Sequence, residues 1–162
     1  MTVEIGKPAP KFDMPTDGGG QVSLAALKGK RVVLYFYPKD DTPGCTTEAC
    51  GFRDALPNFG KVKATVIGVS RDSVAAHDKF KAKYKLPFAL ASDADGKTSA
   101  AYGTWVEKSM YGRKYMGMER STFLIDEKGI VRGIWRKIKI PGHVEEVLKA
   151  VRGLLALKRP RS

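Results

Sequence analysis

The run Arg31-Val32-Val33-Leu34-Tyr35-Phe36-Tyr37, closed by Pro38, limits what this chain can become more than any other stretch. Its side chains are apolar or aromatic at every position after Arg31, not at alternate ones, which fits a strand buried on both faces of a sheet. Pro38 ends the strand because proline has no N–H to give to a ladder. Thr42-Pro43 then reads as a helix start, with a hydroxyl residue at the N-cap and proline where a missing N–H costs nothing. Cys45 falls in the first turn of that helix, where unpaired N–H groups and the positive end of the helix dipole favour a thiolate. Cys50 lies about 7.5 Å further along the axis and about 140° around it. A disulfide needs Cβ atoms about 4 Å apart, so oxidising this pair requires the helix to unwind locally.

At 162 residues the chain is long enough to bury a full core without staples. The expected organisation is one domain over 1–158 and a basic C-terminal tail over 159–162. The two cysteines are too close in sequence to close a stabilising loop, and a transient disulfide in a reducing compartment fits them better. No basic segment followed by an apolar stretch opens the chain, and no apolar run approaches the roughly 20 residues of a membrane span. A cytoplasmic location without membrane association is therefore expected, or a plastid one if a transit peptide has been removed. The formal charge of +12 gives any such surface some affinity for phosphate. The lysines and arginines are dispersed along the sequence with no nucleic-acid-binding signature, so no specific nucleic-acid partner is expected.

Gly6 to Pro15 is too proline-rich for a helix and reads as an extended edge segment, followed by a turn at Thr16 to Gly20 and a short strand at Gln21-Val22-Ser23. Together these make an N-terminal β-hairpin. Ser23 can cap a brief helix over Leu24 to Lys28 that Gly29 stops. In the cysteine helix Phe52, Ala55, Leu56 and Phe59 mark the buried face, and Pro57 predicts a kink or an end. A strand over Val62 to Val69, a helix from Ser73 with Val74, Phe80 and Tyr84 on one face, and a short strand over Leu86 to Leu90 give a βαβ rhythm. The segment from Asp93 to Gly117 reads as a polar loop. Strands over Thr122–Asp126 and Ile130–Trp135 are joined by the turn Glu127-Lys128-Gly129. Val144, Val147, Leu148, Val151, Leu154 and Leu155 keep helical spacing. The fold class expected is α/β, with a central sheet, mostly parallel or mixed, flanked by helices on both sides.

Pro38-x-x-x-Thr42-x-x-Cys45 resembles the active-site pattern of the peroxiredoxins. With Cys50 added, the stretch from Thr42 to Cys50 is similar to the peroxiredoxin Q, or bacterioferritin comigratory protein, group. The likeness extends to Gly6-x-Pro8-Ala9-Pro10-x-Phe12, to Tyr35-Phe36-Tyr37-Pro38-Lys39 and to Arg120-Ser121-Thr122-Phe123-Leu124-Ile125-Asp126. The resemblance implies a thioredoxin-like fold and a thiol peroxidase. Cys45 would be the peroxidatic residue, attacking hydrogen peroxide or an organic hydroperoxide, and Cys50 the resolving one. Thioredoxin or a similar dithiol protein would reduce their disulfide. It implies no metal or organic cofactor, and members of the group are often monomers.

Attack on an O–O bond builds negative charge on the leaving oxygen, so the site needs donors that bind more tightly as the bond breaks. Thr42, Arg120 and the Gly44 and Cys45 N–H groups are the candidates. Arg120 can reach the helix start only if the strand it opens lies beside Val32 to Phe36. Pro38 would shield the pocket. Plainer roles stand beside these. Thr42 can serve as an N-cap bonded to the Cys45 N–H, Arg120 can be a surface arginine, and Cys50 can be a buried small hydrophobe. Glu48 reads as structural or a weak modulator, because a carboxylate one turn from Cys45 disfavours a thiolate. His77 and His143 show no metal-ligand spacing and read as structural. Trp105, Met110, Tyr111 and Met116 to Met118 either wall an apolar entrance or pack under a loop. Two other functions remain open: a general protein disulfide oxidoreductase, weakened by the absence of Cys-x-x-Cys, and a basic nucleic-acid-binding or chaperone-like module.

Overall fold

A computed structural model describes residues 3–157, and side chains through Leu154. The tail 159–162 and the side chain of Leu155 lie outside the described residues. The buried run forms β3 (Arg31–Phe36), with every residue buried as its composition requires. The sheet around it has five strands in the order β5-β4-β3-β8-β9, where β4 is Ala64–Ser70, β5 Ala89–Ser92, β8 Ser121–Ile125 and β9 Val131–Trp135. β3 pairs parallel to β4 and antiparallel to β8, so the sheet is mixed. Alternate side chains of β3 supply two cores. Val33, Tyr35 and Tyr37 meet Phe52, Phe59, Phe80 and Val147 on one face. Val32, Leu34 and Phe36 meet Phe12, Leu27, Tyr102 and Phe123 on the other.

The first face is covered by α1 (Pro43–Lys61) and α4 (His143–Leu157), with Phe80 added from α2 (Val74–Tyr84). Ser73 caps α2 by accepting the Ala76 N–H at 3.1 Å. The face of α2 that is buried carries His77 and Phe80, with Val74 only half-buried. Pro57 does not end α1, which continues to Lys61. Fully buried Phe52 and Phe59 lie on either side of it, and their packing outweighs the one ladder bond that proline deletes. The opposite face is closed by the N-terminal segment, whose β1 (Asp13–Pro15) and β2 (Gln21–Ser23) form the expected hairpin. The brief helix after Ser23 is a 3-10 turn over Ala25–Leu27.

The Asp93–Gly117 segment is not a loop. It contains α3 (Lys97–Ala101) and a hairpin of β6 (Trp105–Met110) and β7 (Arg113–Met118). Asp93, buried, accepts the Thr98 and Ser99 N–H groups at the start of α3. Tyr111 and Gly112 both have positive φ, the backbone of a two-residue turn that matches strand twist. Both strands mix apolar and polar residues on each face and stay largely exposed, so no clean alternation marks them in the sequence.

Phe52 stacks on Tyr35 at 4.7 Å and contacts Phe59 and His143 rings at 5.8 and 6.3 Å. Truncation to Phe52→Ala is expected to cost about 3–5 kcal/mol of unfolding free energy, measured by urea denaturation of the reduced protein. A cost below about 1 kcal/mol would mean that this aromatic cluster does not hold α1 to the sheet.

Candidate active site

The β3–α1 connection places Cys45 at the top of the sheet. Thr42 is extended (φ −89°, ψ 154°), Pro43 opens the helix, and the first helical bond runs from the Thr46 N–H to the Thr42 carbonyl at 2.8 Å. The Gly44 and Cys45 N–H groups precede that ladder and point along the positive end of the helix. Cys45 is buried and Cys50 half-buried, both as free thiols, within one uninterrupted helix.

β8 does lie beside β3, with Ser121 opposite Phe36. That register puts Arg120, the residue before β8, over the start of α1. Its Nη2 donates to Cys45 Sγ at 3.2 Å and its Nη1 to Glu48 Oε1 at 2.7 Å. A Cβ added to Gly44 would sit 3.3 Å from Arg120 Nη2, so glycine at this position leaves room for the guanidinium. Glu48 is fully buried and its Oε2 has no hydrogen-bond partner among the described residues. Burial raises its pKa from 4.5 to about 7 against the opposing pull of Arg120. Neither of its expected roles described this contact, since the arginine that meets Glu48 is 72 residues away.

The Thr42 hydroxyl does not cap the helix. It donates to the Lys39 carbonyl at 2.9 Å, which folds the loop back on itself. Pro38 is solvent-exposed just beyond β3. Trp105, Met110, Tyr111 and Met116 to Met118 do not line the space beside Arg120. The depression of about 370 Å³ beside Arg120 is lined by Val106, Lys108, Glu119, Lys137 and Ile138. Met110, Tyr111 and Met116 project into solvent, Met118 is buried, and Arg71 stacks on Trp105 at 4.4 Å.

His77 joins the loop before Thr42 to α2. Its Nδ1 meets Asp40 Oδ2 at 2.6 Å and its Nε2 meets the Ala91 carbonyl at 2.9 Å. Two acceptors facing one ring require both nitrogens to carry protons. Burial alone would lower the His77 pKa, but the hydrogen bond and charge of Asp40 and the Ala91 carbonyl outweigh it and raise the pKa. Tyr37 donates to the other Asp40 oxygen at 2.5 Å and the Asp40 N–H donates to Asp72 at 2.9 Å. His143 is the opposite case: buried against Phe52 and Trp135 and hydrogen-bonded to Thr122 at 2.9 Å, it is driven down to a pKa of about 4, mainly by burial. Among the described residues no cluster of three or more His, Cys, Asp or Glu can hold a metal ion.

A thiol at a helix N-terminus under a guanidinium, on this sheet order, is the arrangement of a thioredoxin-like thiol enzyme. The AhpC/TSA family model matches residues 5–134. Peroxiredoxin Bcp of Bacillus subtilis is 50% identical over 154 residues, covering 95% of this chain and 98% of that one. Peroxiredoxin Bcp of Xanthomonas campestris is 49% identical over 147 residues, covering 90% and 92%. The solved bacterioferritin comigratory protein of Xanthomonas campestris superposes with a TM-score of 0.86 at 46% identity, covering 89% of this chain and 92% of that one. The chain belongs to the AhpC/TSA family and, within it, to the Bcp or peroxiredoxin Q group.

The buried Glu48 gives the fold a pH dependence. A carboxyl with a pKa raised from 4.5 to about 7 holds its proton more tightly folded than unfolded. The stability it contributes is complete below its unfolded pKa and is lost as pH rises through about 7. Glu48→Gln stays neutral throughout. The unfolding free energy of the wild type minus that of Glu48→Gln should therefore fall by about 1–3 kcal/mol between pH 5 and pH 8, measured by urea denaturation under reducing conditions. A difference that stays flat would mean that Glu48 is ionised in the fold across this range.

Proposed function

We propose that this chain reduces hydrogen peroxide and organic hydroperoxides at the expense of a dithiol protein such as thioredoxin, acting as a cytoplasmic monomer. The observation that carries the reading is the Arg120 guanidinium 3.2 Å from Cys45 Sγ at the start of α1. A guanidinium held there donates to the sulfur that attacks and stays within reach of the negative charge that develops as the O–O bond breaks.

The Cys45 thiolate attacks the terminal oxygen of the hydroperoxide. The S–O bond forms as the O–O bond breaks, leaving a Cys45 sulfenic acid and an alkoxide or hydroxide that takes a proton and departs as alcohol or water. The developing charge falls on the leaving oxygen, where Arg120 and the Gly44 and Cys45 N–H groups stabilise it. The Thr42 hydroxyl, bonded to Lys39, holds the loop that supports these groups. Cys50 then attacks the Cys45 sulfur, forming the S–S bond and expelling the sulfenic oxygen as water with the Cys50 proton. The dithiol partner returns two electrons to the pair. Because both cysteines lie in one continuous helix, the second step requires the turns between Cys45 and Cys50 to open.

Cys45→Ser is expected to abolish peroxide consumption with thioredoxin and its reductase, while Cys50→Ser still forms one sulfenic acid per chain, trapped by a dimedone probe. Equal loss of sulfenic acid in both variants would overturn the division of labour. Arg120→Met should slow the reaction of Cys45 with peroxide by about 10²–10³-fold, measured by stopped-flow fluorescence; a change under about threefold would remove Arg120 from the reaction. Hydrogen exchange of residues 45–50 should speed up on oxidation, and unchanged protection would contradict the opening. Reduction of insulin disulfides without peroxide consumption would favour a general disulfide oxidoreductase instead.

A further inference from the structure

The lysines that look dispersed along the sequence are gathered by the fold. β3 runs upward toward Cys45, so its first residues mark the opposite end of the molecule, about 24 Å away along α1 from Cys45 to Lys61. Lys28 and Lys30 precede β3, Lys61 and Lys63 lie in the α1–β4 turn, Lys128 is in the β8–β9 turn and Lys7 sits beside the start of β9, all exposed. Backbone contacts hold these segments together. The Gly29 N–H donates to the Glu127 carbonyl at 2.9 Å, the Val131 N–H to the Lys7 carbonyl at 2.9 Å, and Arg31 Nη1 to the Val62 carbonyl at 3.3 Å. Since β4, β3, β8 and β9 are neighbours, the lysines form a row about 15 Å wide along the lower edge of the sheet, at about 4.8 Å per strand.

The row is not neutralised locally. None of its six lysines makes an ion pair among the described residues, while lysines elsewhere do, as in Lys81–Asp17 and Lys83–Asp41. Of the acids at this end, Glu127 lies 3.2 Å from Arg31, and Asp126 is buried and takes Arg132 at 2.8 Å. Two exposed carboxylates lie nearby, Glu4 beside Lys7 and Asp13 in a shallow depression shared with Lys28, and neither forms an ion pair with a lysine of the row among the described residues. Val144 packs close enough to Gly51 that an added Cβ would lie 3.1 Å away, and Ile140 meets Gly44 in the same way. α4 therefore runs alongside α1 toward this end.

We propose that this lysine row is a sequence-independent nucleic-acid-binding surface that holds the phosphodiester backbone on the side of the molecule opposite Cys45. A single row of charges follows a linear polyanion. A lipid surface instead favours apolar side chains that enter it, and among the described residues Ile5 is the one exposed large hydrophobic at this end, the others lying on the β6–β7 hairpin. The row lacks exposed aromatic rings for stacking on bases, so contact is with phosphates and carries no sequence information. Binding here leaves the peroxide site open to solvent and brings a peroxide-consuming thiol to a polymer that oxidants damage.

Fluorescence anisotropy with a labelled duplex of about 20 base pairs and arbitrary sequence tests the surface. Affinity should fall about 10²-fold or more between about 50 and 200 mM salt, as expected for four or so phosphate contacts. Lys28→Glu, Lys63→Glu and Lys128→Glu combined should weaken binding at least about tenfold and flatten the salt dependence. Lys79→Glu, Lys114→Glu and Lys149→Glu combined, an equal charge change on other faces, should change it under about threefold. Unaltered sulfenic acid formation in both variants confirms folding and separates this result from the peroxidase reading. Equal loss in the two variants would show a net-charge effect only. No duplex binding at about 50 mM salt, or binding to phosphatidylserine vesicles that the duplex fails to displace, would equally overturn the proposal.

Discussion

One guanidinium holds the site together. Arg120 touches the Cys45 sulfur and the buried Glu48 with two N–H groups of the same planar head, and that fork geometry is available to arginine and not to lysine. Its placement needs β8 to pair with β3 in a register that sets Ser121 opposite Phe36, and glycine at position 44 spares the guanidinium a tight contact at 3.3 Å. Glu48 serves the cation more than the thiol. A buried carboxylate would be costly alone, and its contact with Arg120 fixes where the positive charge sits over Cys45.

α1 has to be rigid at one end and yielding at the other. Its middle and lower turns are pinned by fully buried Phe52 and Phe59, Phe52 stacking on Tyr35 and Phe59 packing on Phe52. Its first turns carry Cys45, Glu48 and Ala49 inward, but are entered through a loop tied by short polar contacts at Thr42, Asp40 and His77. Opening the Cys45–Cys50 segment can therefore stay local, because the aromatic anchor lies beyond Cys50. The His77–Asp40 pair, inside the fold, holds the loop without occupying the face that Cys45 presents.

The two ends of the sheet differ in chemistry for a topological reason. The tops of β3 and β8 converge on α1, so the site collects groups from distant parts of the chain around one sulfur. At the bottom, three turns and the N-terminal strap end side by side and leave long cationic side chains in solvent. Their charges were visible in the composition, but their alignment was not.

The sequence alone determined the central strand, the helix start at Thr42-Pro43, the position of Cys45 in its first turn and the mismatch of Cys50 with a disulfide, since hydrophobic runs, caps and helical geometry are local properties. Together with the motifs around Arg120 it determined the peroxiredoxin fold. It misjudged the β6–β7 hairpin, because exposed strands that mix apolar and polar residues on each face carry no periodic signal, and it left open an end of α1 at Pro57 that the packing of Phe52 and Phe59 overrides. Only the tertiary structure decided that the Thr42 hydroxyl turns to Lys39, that Arg120 links Cys45 to Glu48, and that His77 reaches Asp40. Each of these is a contact between side chains whose separation in space follows from strand order and register, and no local rule of sequence encodes that distance.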